Sequence, residues 1–444
     1  MLYNPLDLFH NYVEEAVTHY LDLIRGDHPE AFTRSRKVSL SKLLFQMVDR
    51  HGLSQQGEVD ALFREAGMVI SDKGFFEARS KFNPEAVHVM ADEFIAQIYD
   101  NFDDSIQKWN DFVILAVDGC RITVPDTDEN KDVFGVQQGE SDNQPAMALT
   151  SSLHDCLNNL KLDVQIARFD GSEQELAARH IIHYCDNYHQ KALFTFDRGY
   201  VSIRLIDLII KKTQYFLMRT KSTDYTRMFD QVSINECKTL KLTFDRASTN
   251  DYREDRHFRN NLLNTEYELK FAKVVIGKNE EGNDVVEALK TNLPEELCSP
   301  EQLKDLYWDR WNIETSYNRQ KNRMKSEEFS GYRPVLIKQD IYADMWAYNM
   351  FSLKIIEKNE KLQSSRQSKN GKYIIKENFN KVIGAIKNTL MEYLVTTDEI
   401  RKQELLKYMD DSISRAITYV KIDKRQLKRK KPVNKSAMSY RKTF

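Results

Sequence analysis

Between residues 307 and 321 the chain carries Tyr307, Arg310, Glu314, Tyr317 and Lys321. At about 100° per residue, these five fall within roughly 80° of one another on a helix. A phenol, a guanidinium, a carboxylate and an ammonium then share one stripe about 20 Å long. A small-molecule pocket does not need a polar stripe of that length; a polyanion lying along the helix does. The plainer reading is a solvated face with spaced charges. Against it stand the mixed residue types and the two neighbouring tryptophans, Trp308 and Trp311. The stripe's lone carboxylate, Glu314, also has Arg310 one turn away.

Two further carboxylates follow apolar runs. Phe112 to Val117 is continuously apolar and leads into Asp118; Ala192 to Phe196 leads into Asp197. Such runs suit strands buried on both faces, and the strand ends of an α/β sheet form the rim where ligands bind. Taken singly, an aspartate at a strand end is explained by turn initiation. Together, Asp118, Asp197 and Glu314 supply three hard oxygen donors of the kind that hold Mg2+ or Mn2+. Two such ions about 4 Å apart activate a water or a 3′-hydroxyl and stabilise the leaving oxygen of a phosphodiester.

These residues need elements to hold them. Residues 301–325 read as one long helix, with Ser299 as N-cap, Pro300 at the first helical position and Gln302 completing a capping box. Leu306, Ile313 and Met324 border the polar stripe and can pack it onto a core. Upstream, residues 1–105 read as helices near 7–25, 39–50, 55–66 and 84–100, and 39–63 has the loose outline of a helix–turn–helix. From residue 112 the texture changes to buried strands. A tight turn through Gly119 and Cys120 separates the first from a second strand at Arg121–Val124. A polar loop spans 126–139, and strands follow at 146–153 and 162–169. Ser172 with Glu175 starts a helix running to about Tyr188. After Asp197 come a helix at 201–212, a strand at 215–219 and a β-rich stretch over 221–297. A helix at about 336–358, a polar linker at 364–373 and more helix over 376–420 complete the body.

The 444 residues imply two to four domains. With 41% hydrophobic and 30% charged residues, the composition is that of a soluble globular protein. The net charge of −2 is unevenly spread: Lys421 to Phe444 holds ten Lys/Arg and one Asp, +9, leaving −11 for the rest. A basic tail on an acidic body suits a polyanionic partner, or a solubilising extension. The five cysteines lack paired spacing and read as reduced thiols. Neither a signal peptide nor a long apolar span is present, so a cytoplasmic protein with no membrane association is expected. His180 and His183 are spaced for Zn2+, but no second ligand pair of familiar spacing accompanies them, and polar residues on a helix explain them better. Asp126, Asp128 and Asn130 fail as a calcium loop, because Lys131 stands where Gly is needed and Gln137 where Glu is needed.

The spacing Tyr307-x2-Arg310-x3-Glu314-x6-Lys321 resembles the Y-R-E-K signature of DDE insertion-sequence transposases of the insertion-sequence-four family. Arg310-Trp311-x-Ile313-Glu314, Val117-Asp118-Gly119 leading to Val124-Pro125-Asp126-Thr127, Phe196-Asp197-Arg198-Gly199 and Thr291-Asn292-Leu293 are similar to that family's motifs and occur in its order. The resemblance runs from about 112 to 350 and is looser over the N-terminal helices.

It implies an α/β fold: an RNase H-like mixed-sheet catalytic core with a β-rich insertion, flanked by N- and C-terminal helical regions. The expected division is a DNA-binding region at 1–105, core at 106–220, insertion at 221–297, core again at 298–350, and a dimerising region with the basic tail at 351–444. Asp118, Asp197 and Glu314 are the implied catalytic and metal-binding residues, holding two Mg2+ ions, with Mn2+ able to substitute. Tyr307, Arg310 and Lys321 are implied to contact DNA phosphates. The implied activity is cut-and-paste transposition by a homodimer in a synaptic complex with double-stranded DNA, the element's terminal inverted repeats and the target. Cleavage would pass through a hairpin intermediate, in a prokaryotic, nucleoid-associated setting. Some relatives hold a flipped base with a tryptophan of the insertion; residues 221–297 contain none, leaving Tyr267 or Phe271 as stand-ins. Two rivals fit the same residues: a domesticated RNase H-like nuclease that does not transpose, and a catalytically idle DNA-binding protein.

Overall fold

The apolar run from Phe112 does not turn at Gly119. In the computed structural model, which describes residues 4–34, 37–64, 69–137, 144–279, 281–363 and 373–421, strand β1 runs unbroken over Val113–Thr123. Its partner β2 (Met147–Asp155) pairs with it through Gly119↔Ser151 and Cys120↔Thr150. The backbone groups a turn would need are therefore spent in the ladder. Asp118 stands within the strand rather than at its end. β3 (Leu160–Arg168) adds antiparallel to β2, while β4 (Ala192–Phe196) and β5 (Tyr215–Thr220) add in parallel on the other side of β1. This 3-2-1-4-5 arrangement is the RNase H-like core that was expected.

The β-rich stretch is not a separate layer. β6 (Glu236–Leu242), β7 (Tyr267–Lys278) and β8 (Asp284–Thr291) extend the same sheet, because β8 pairs antiparallel with β5. One sheet of eight strands results, in the order 3-2-1-4-5-8-7-6.

The helical regions run α1 (Pro5–His19), α2 (Leu21–Arg25), α3 (Leu40–Val48), α4 (Gln55–Phe63), α5 (Asp72–Arg79) and α6 (Pro84–Asn101). α7 (Asp128–Phe134), capped by Thr127, occupies the expected polar loop. α8 (Glu173–Asn187) and α9 (Ile203–Lys211) follow as read, and α10 (Thr226–Phe229) and α11 (Arg256–Leu263) lie within the insertion. The long helix at 301–325 is three pieces. α12 (Pro300–Asp309) opens with the expected Ser299–Gln302 capping box. α13 (Trp311–Arg319) restarts after Arg310, and a π turn over Gln320–Met324 ends at Lys325 in the left-handed region, φ 60°.

α14 (Pro334–Gln363) is the axis of the helical half. It packs on α1, α3, α6 and β3; Trp346, Tyr348 and Phe351 on it are fully buried. The dimerising region expected from 351 thus begins inside a helix already covered by its own chain. α3, first helix of the helix–turn–helix outline, buries seven of its nine residues in the same core. Beyond α14 the chain forms α15 (Phe379–Lys387), α16 (Leu390–Val395) and α17 (Glu399–Arg415). It also forms an unforeseen two-stranded ribbon, β9 (Tyr373–Glu377) with β10 (Ile417–Lys421). Most of the polar linker and nearly all of the basic tail lie outside the described residues. Among the described residues no helix is long and apolar enough to cross a membrane.

Candidate active site

Strand periodicity decides which side chains meet. Ile114 and Ala116 of β1, Leu193 of β4, Leu217 of β5 and Leu289 of β8 share an apolar cluster with Leu303, Leu306, Tyr307 and Ile313 of α12 and α13. Side chains two residues apart share a face, so continuing each strand from that cluster brings Asp118, Asp197, Arg219 and Glu287 to the face covered by α12 and α13.

Those helices return their polar stripe to the same place. The Tyr307 hydroxyl donates to Asp197 Oδ1 (3.1 Å), and the Tyr317 hydroxyl donates to the backbone carbonyl of Asp118 (2.7 Å). Arg310 lies between, 2% exposed, its guanidinium against the rings of Tyr307 and Trp311 and donating to Glu314 Oε1 (3.2 Å). Burial opposes the charge of Arg310, but Tyr307, Asp197, Asp118 and Glu314 together raise its pKa above the ordinary arginine value. One guanidinium therefore faces all three sequence-predicted carboxylates. Its Nε is buried without a hydrogen-bond partner, an unspent donor in the middle of the site.

The two aspartates are tuned in opposite directions. Burial pushes Asp118 up to about 6; Arg310 and the Gly119 N–H pull it down, and Glu173 and Glu314 add to the rise. Asp197 also meets a burial penalty, but the Arg198 backbone N–H, Arg310, Arg219 and Tyr307 hold it below the usual aspartate value. Lys321 sits at the far end of the stripe, donating to the Arg121 carbonyl (3.2 Å) and paired with Glu327 (3.1 Å). All six predicted site residues are thus in one region, though Tyr307 and Arg310 are turned inward onto carboxylates rather than outward along a groove.

Several neighbours escaped the sequence reading. Arg219 pairs with Asp197 (3.5 Å) and, more tightly, with Glu287, which also accepts from Arg198 (2.8 Å). Glu173 begins α8, pairs with Arg121 (3.1 Å) and crowds Gly119, where an added Cβ would stand 2.9 Å from its carboxyl carbon. Lys161 on β3 lies 4.5 Å from the Tyr317 ring and donates to Ser152 Oγ (2.9 Å); burial lowers it to about 7. None of these carried a local signal, since strand register and helix docking create the proximity. The base-holding stand-ins fail on burial: Tyr267 is 4% exposed with its hydroxyl on Asp207 (2.8 Å), and Phe271 is fully buried.

Three carboxylates on one rim, one lifted by burial and by its acidic neighbours, fit hard divalent cations. Here the compensating charge comes from Arg310 and, at Asp197, from Arg219 as well. The one tight His/acid donor grouping among the described residues is elsewhere, at His88, Asp92 and Asp163.

Residues 109–350, more than half of the chain, match the family model described as the transposase DDE domain, and the chain belongs to that family. Its members are transposases that use divalent metal ions. Among solved structures, the chain is similar to a piggyBac transposase in a synaptic complex with hairpin DNA. The identity is 11%, the TM-score 0.45, and the match covers 93% of this chain and 85% of that one. No curated protein matches the sequence.

Proposed function

We propose that this transposase-family chain cuts DNA at the terminal inverted repeats of its own element and joins the freed ends to target DNA, with Asp118, Asp197 and Glu314 as its catalytic carboxylates. The observation that carries the reading is Arg310, one buried guanidinium facing all three acids. Of the three, Arg219 reaches only Asp197 and is held more tightly by Glu287, so Asp118 and Glu314 share Arg310 and leave room for added positive charge. Two Mg2+ ions, or Mn2+, held by these carboxylates would supply Lewis-acid activation of the attacking oxygen and stabilisation of the leaving one.

The chain's own groups have separate tasks. Arg310 carries a fork suited to bidentate phosphate contact, and its unpartnered Nε, buried in the free protein, would serve only once the site opened to DNA. Tyr307 holds Asp197 in place until a phosphate competes for its hydroxyl. Lys321 contributes a point charge further along the strand. The Y-R-E-K pattern of these residues supports assignment to the insertion-sequence-four group and, with it, a hairpin intermediate. Residues 1–105 would bind DNA, and 351–444 would serve dimerisation in a synaptic complex, through surfaces other than the covered α14.

The test is cleavage of a labelled duplex carrying the element's own end, with Mg2+, comparing wild type with Glu314→Gln. Loss of nicked and hairpin products with end binding retained is the expected result. Equal cleavage by both proteins removes Glu314 from the chemistry. Nicking by wild type without strand transfer to a target plasmid makes the protein a nuclease, and binding without any cleavage leaves an idle DNA-binding protein.

A further inference from the structure

The histidines of α8 acquire in the fold the second ligand pair that the sequence lacks. α6 carries Glu85, His88 and Asp92 at three- and four-residue spacing, which places them on one face. α6 and α8 both pack on β3, and Asp163 of β3, fully buried, stands between them. His88 Nε2 lies 2.9 Å from Asp163 Oδ1 and 3.3 Å from Asp92 Oδ2. His183 Nε2 lies 3.7 Å from that same Asp92 oxygen. Donor atoms of His88, Asp92 and Asp163 all fall within 4.8 Å of one another.

These contacts leave polar atoms unspent. His183 Nε2 and Asp92 Oδ1 are both buried with no hydrogen-bond partner, which is costly for a group paired with nothing. Tetrahedral Zn2+ with bonds of about 2.0–2.1 Å to nitrogen and oxygen has donor-to-donor edges of about 3.3 Å. The three separations here bracket that value.

The surroundings are arranged as metal sites arrange theirs. Glu85 Oε1 stands 3.6 Å from His88 Nδ1 and would favour a proton there once a metal replaced the Nε2 proton that now bridges to Asp163. The second oxygen of Asp163 accepts from Gln165 Nε2 (2.8 Å) and meets His180 Nδ1 at 2.7 Å. The Asn187 amide donates to the His183 carbonyl (2.9 Å) and lies 3.3 Å from His183 Nδ1, which fixes the ring beside Asp92. His180 Nε2 continues to Ser151 Oγ (3.0 Å), which donates to the carbonyl of Asp118 (3.3 Å). The cluster is therefore wired to the strand that carries Asp118.

We propose that His88, Asp92 and Asp163 form the core of a structural site for a transition-metal ion, Zn2+ before others, that His183 completes by closing on it from beside Asp92, and that clamps α6 to β3 and α8. Mixed imidazole and carboxylate donors with four protein ligands suit Zn2+ and not Mg2+, which takes oxygen and keeps its waters. The rival is a proton in the metal's place, with His88 as an imidazolium between the two aspartates.

The experiment uses full-length protein carrying Asp118→Asn and Glu314→Gln, so that metal at the active-site carboxylates does not contribute. After chelator treatment and dialysis it is titrated with Co2+ in excess Mg2+, followed by visible absorption, and then with Zn2+. One Co2+ per chain with tetrahedral-type absorption, displaced by Zn2+, is expected. So is a Tm that rises with Zn2+ and not with Mg2+. Adding Asp92→Asn or His183→Gln should weaken Co2+ binding at least about tenfold, and His180→Gln by about 10–100-fold. Folded protein that takes up no stoichiometric Co2+ overturns the proposal in favour of the proton-bridged cluster. Binding unchanged in both ligand variants also overturns it. If Asp92→Asn fails to fold, His183→Gln, at a side chain one-fifth exposed, and the parent titration still decide.

Discussion

Replacing Asp118 by Asn should stabilise the metal-free protein while abolishing cleavage. In the fold, burial and acidic neighbours raise the Asp118 pKa from 3.8 to about 6. For an acid raised in this direction, ionisation opposes folding. The penalty is absent below the unfolded value near 3.8, grows as pH rises, and is complete above about 6. A shift of about two units corresponds to about 3 kcal/mol at most. An Asn side chain keeps the acceptor for the Gly119 N–H, 3.0 Å away, and discards the charge. Unfolding entropy of about 2.1 cal/mol/K per residue makes this worth about 3 °C in Tm for a chain of this length. The assay is thermal unfolding in chelator at pH 8 and at pH 4.5, wild type against Asp118→Asn. The variant should melt higher at pH 8, the difference should shrink toward pH 4.5, and Mg2+ should stabilise only the wild type. A variant that melts lower than wild type at pH 8 would mean that Arg310 already compensates Asp118 in full, leaving the carboxylates no deficit of positive charge for cations to fill.

Other predictions follow from the same geometry. Glu173→Gln removes one acidic neighbour of Asp118, so the acid limb of the pH–cleavage profile should move to lower pH with the plateau rate changed less than the limb; an unmoved limb removes Glu173 from the site's electrostatics. Arg310→Lys keeps the charge but loses the planar fork seated against Tyr307 and Trp311, and cleavage should fall at least about tenfold with Tm nearly unchanged. Lys161 has a folded pKa lowered to about 7 by burial; its charge opposes folding fully below that pH and fades toward 10.5. Lys161→Met should therefore be the more stable protein at pH 6, with the advantage narrowing by pH 9 in urea titrations. Arg79 is fully buried, with bonds to Gln46, Ser330, Gln339 and Asp340. Arg79→Met should cost about 3 kcal/mol, the low end for a broken buried pair, because Arg50 still faces Asp340 at 3.4 Å; a loss under about 1 kcal/mol in urea unfolding would refute this.

What could be read from the chain alone was whatever its neighbours in sequence determine. β4 and Asp197 were legible because an apolar run and its terminus are contiguous, and Ser299 with Gln302 announced the start of α12 in the same way. Gly119-Cys120 misled because a local turn signal competes with a ladder to β2, formed by residues about thirty positions later. Arg310 was visible as part of a helical stripe, but its inward turn depends on where Asp118 and Asp197 stand. Arg219, Glu173 and Glu287 reach the site only through strand register and helix docking. His88 and His183 are separated in sequence by three of the eight strands, so their sharing of Asp92 had no signature. The β9–β10 ribbon was hidden for the same reason, its strands lying at opposite ends of a helical stretch.

The covering of α14 has a consequence for how the protein is made. The faces that α1, α3 and α6 bury are completed by residues 334–358, more than two hundred positions after α6 ends. At about 5–20 residues per second, a ribosome needs roughly ten to fifty seconds to supply them. Throughout that interval the first helices to emerge must wait with apolar faces such as Phe9, Phe45 and Phe94 uncovered. The nascent chain then offers greasy helices to any factor that shelters them, and its helical half closes only after about four fifths of the 444 residues have been made.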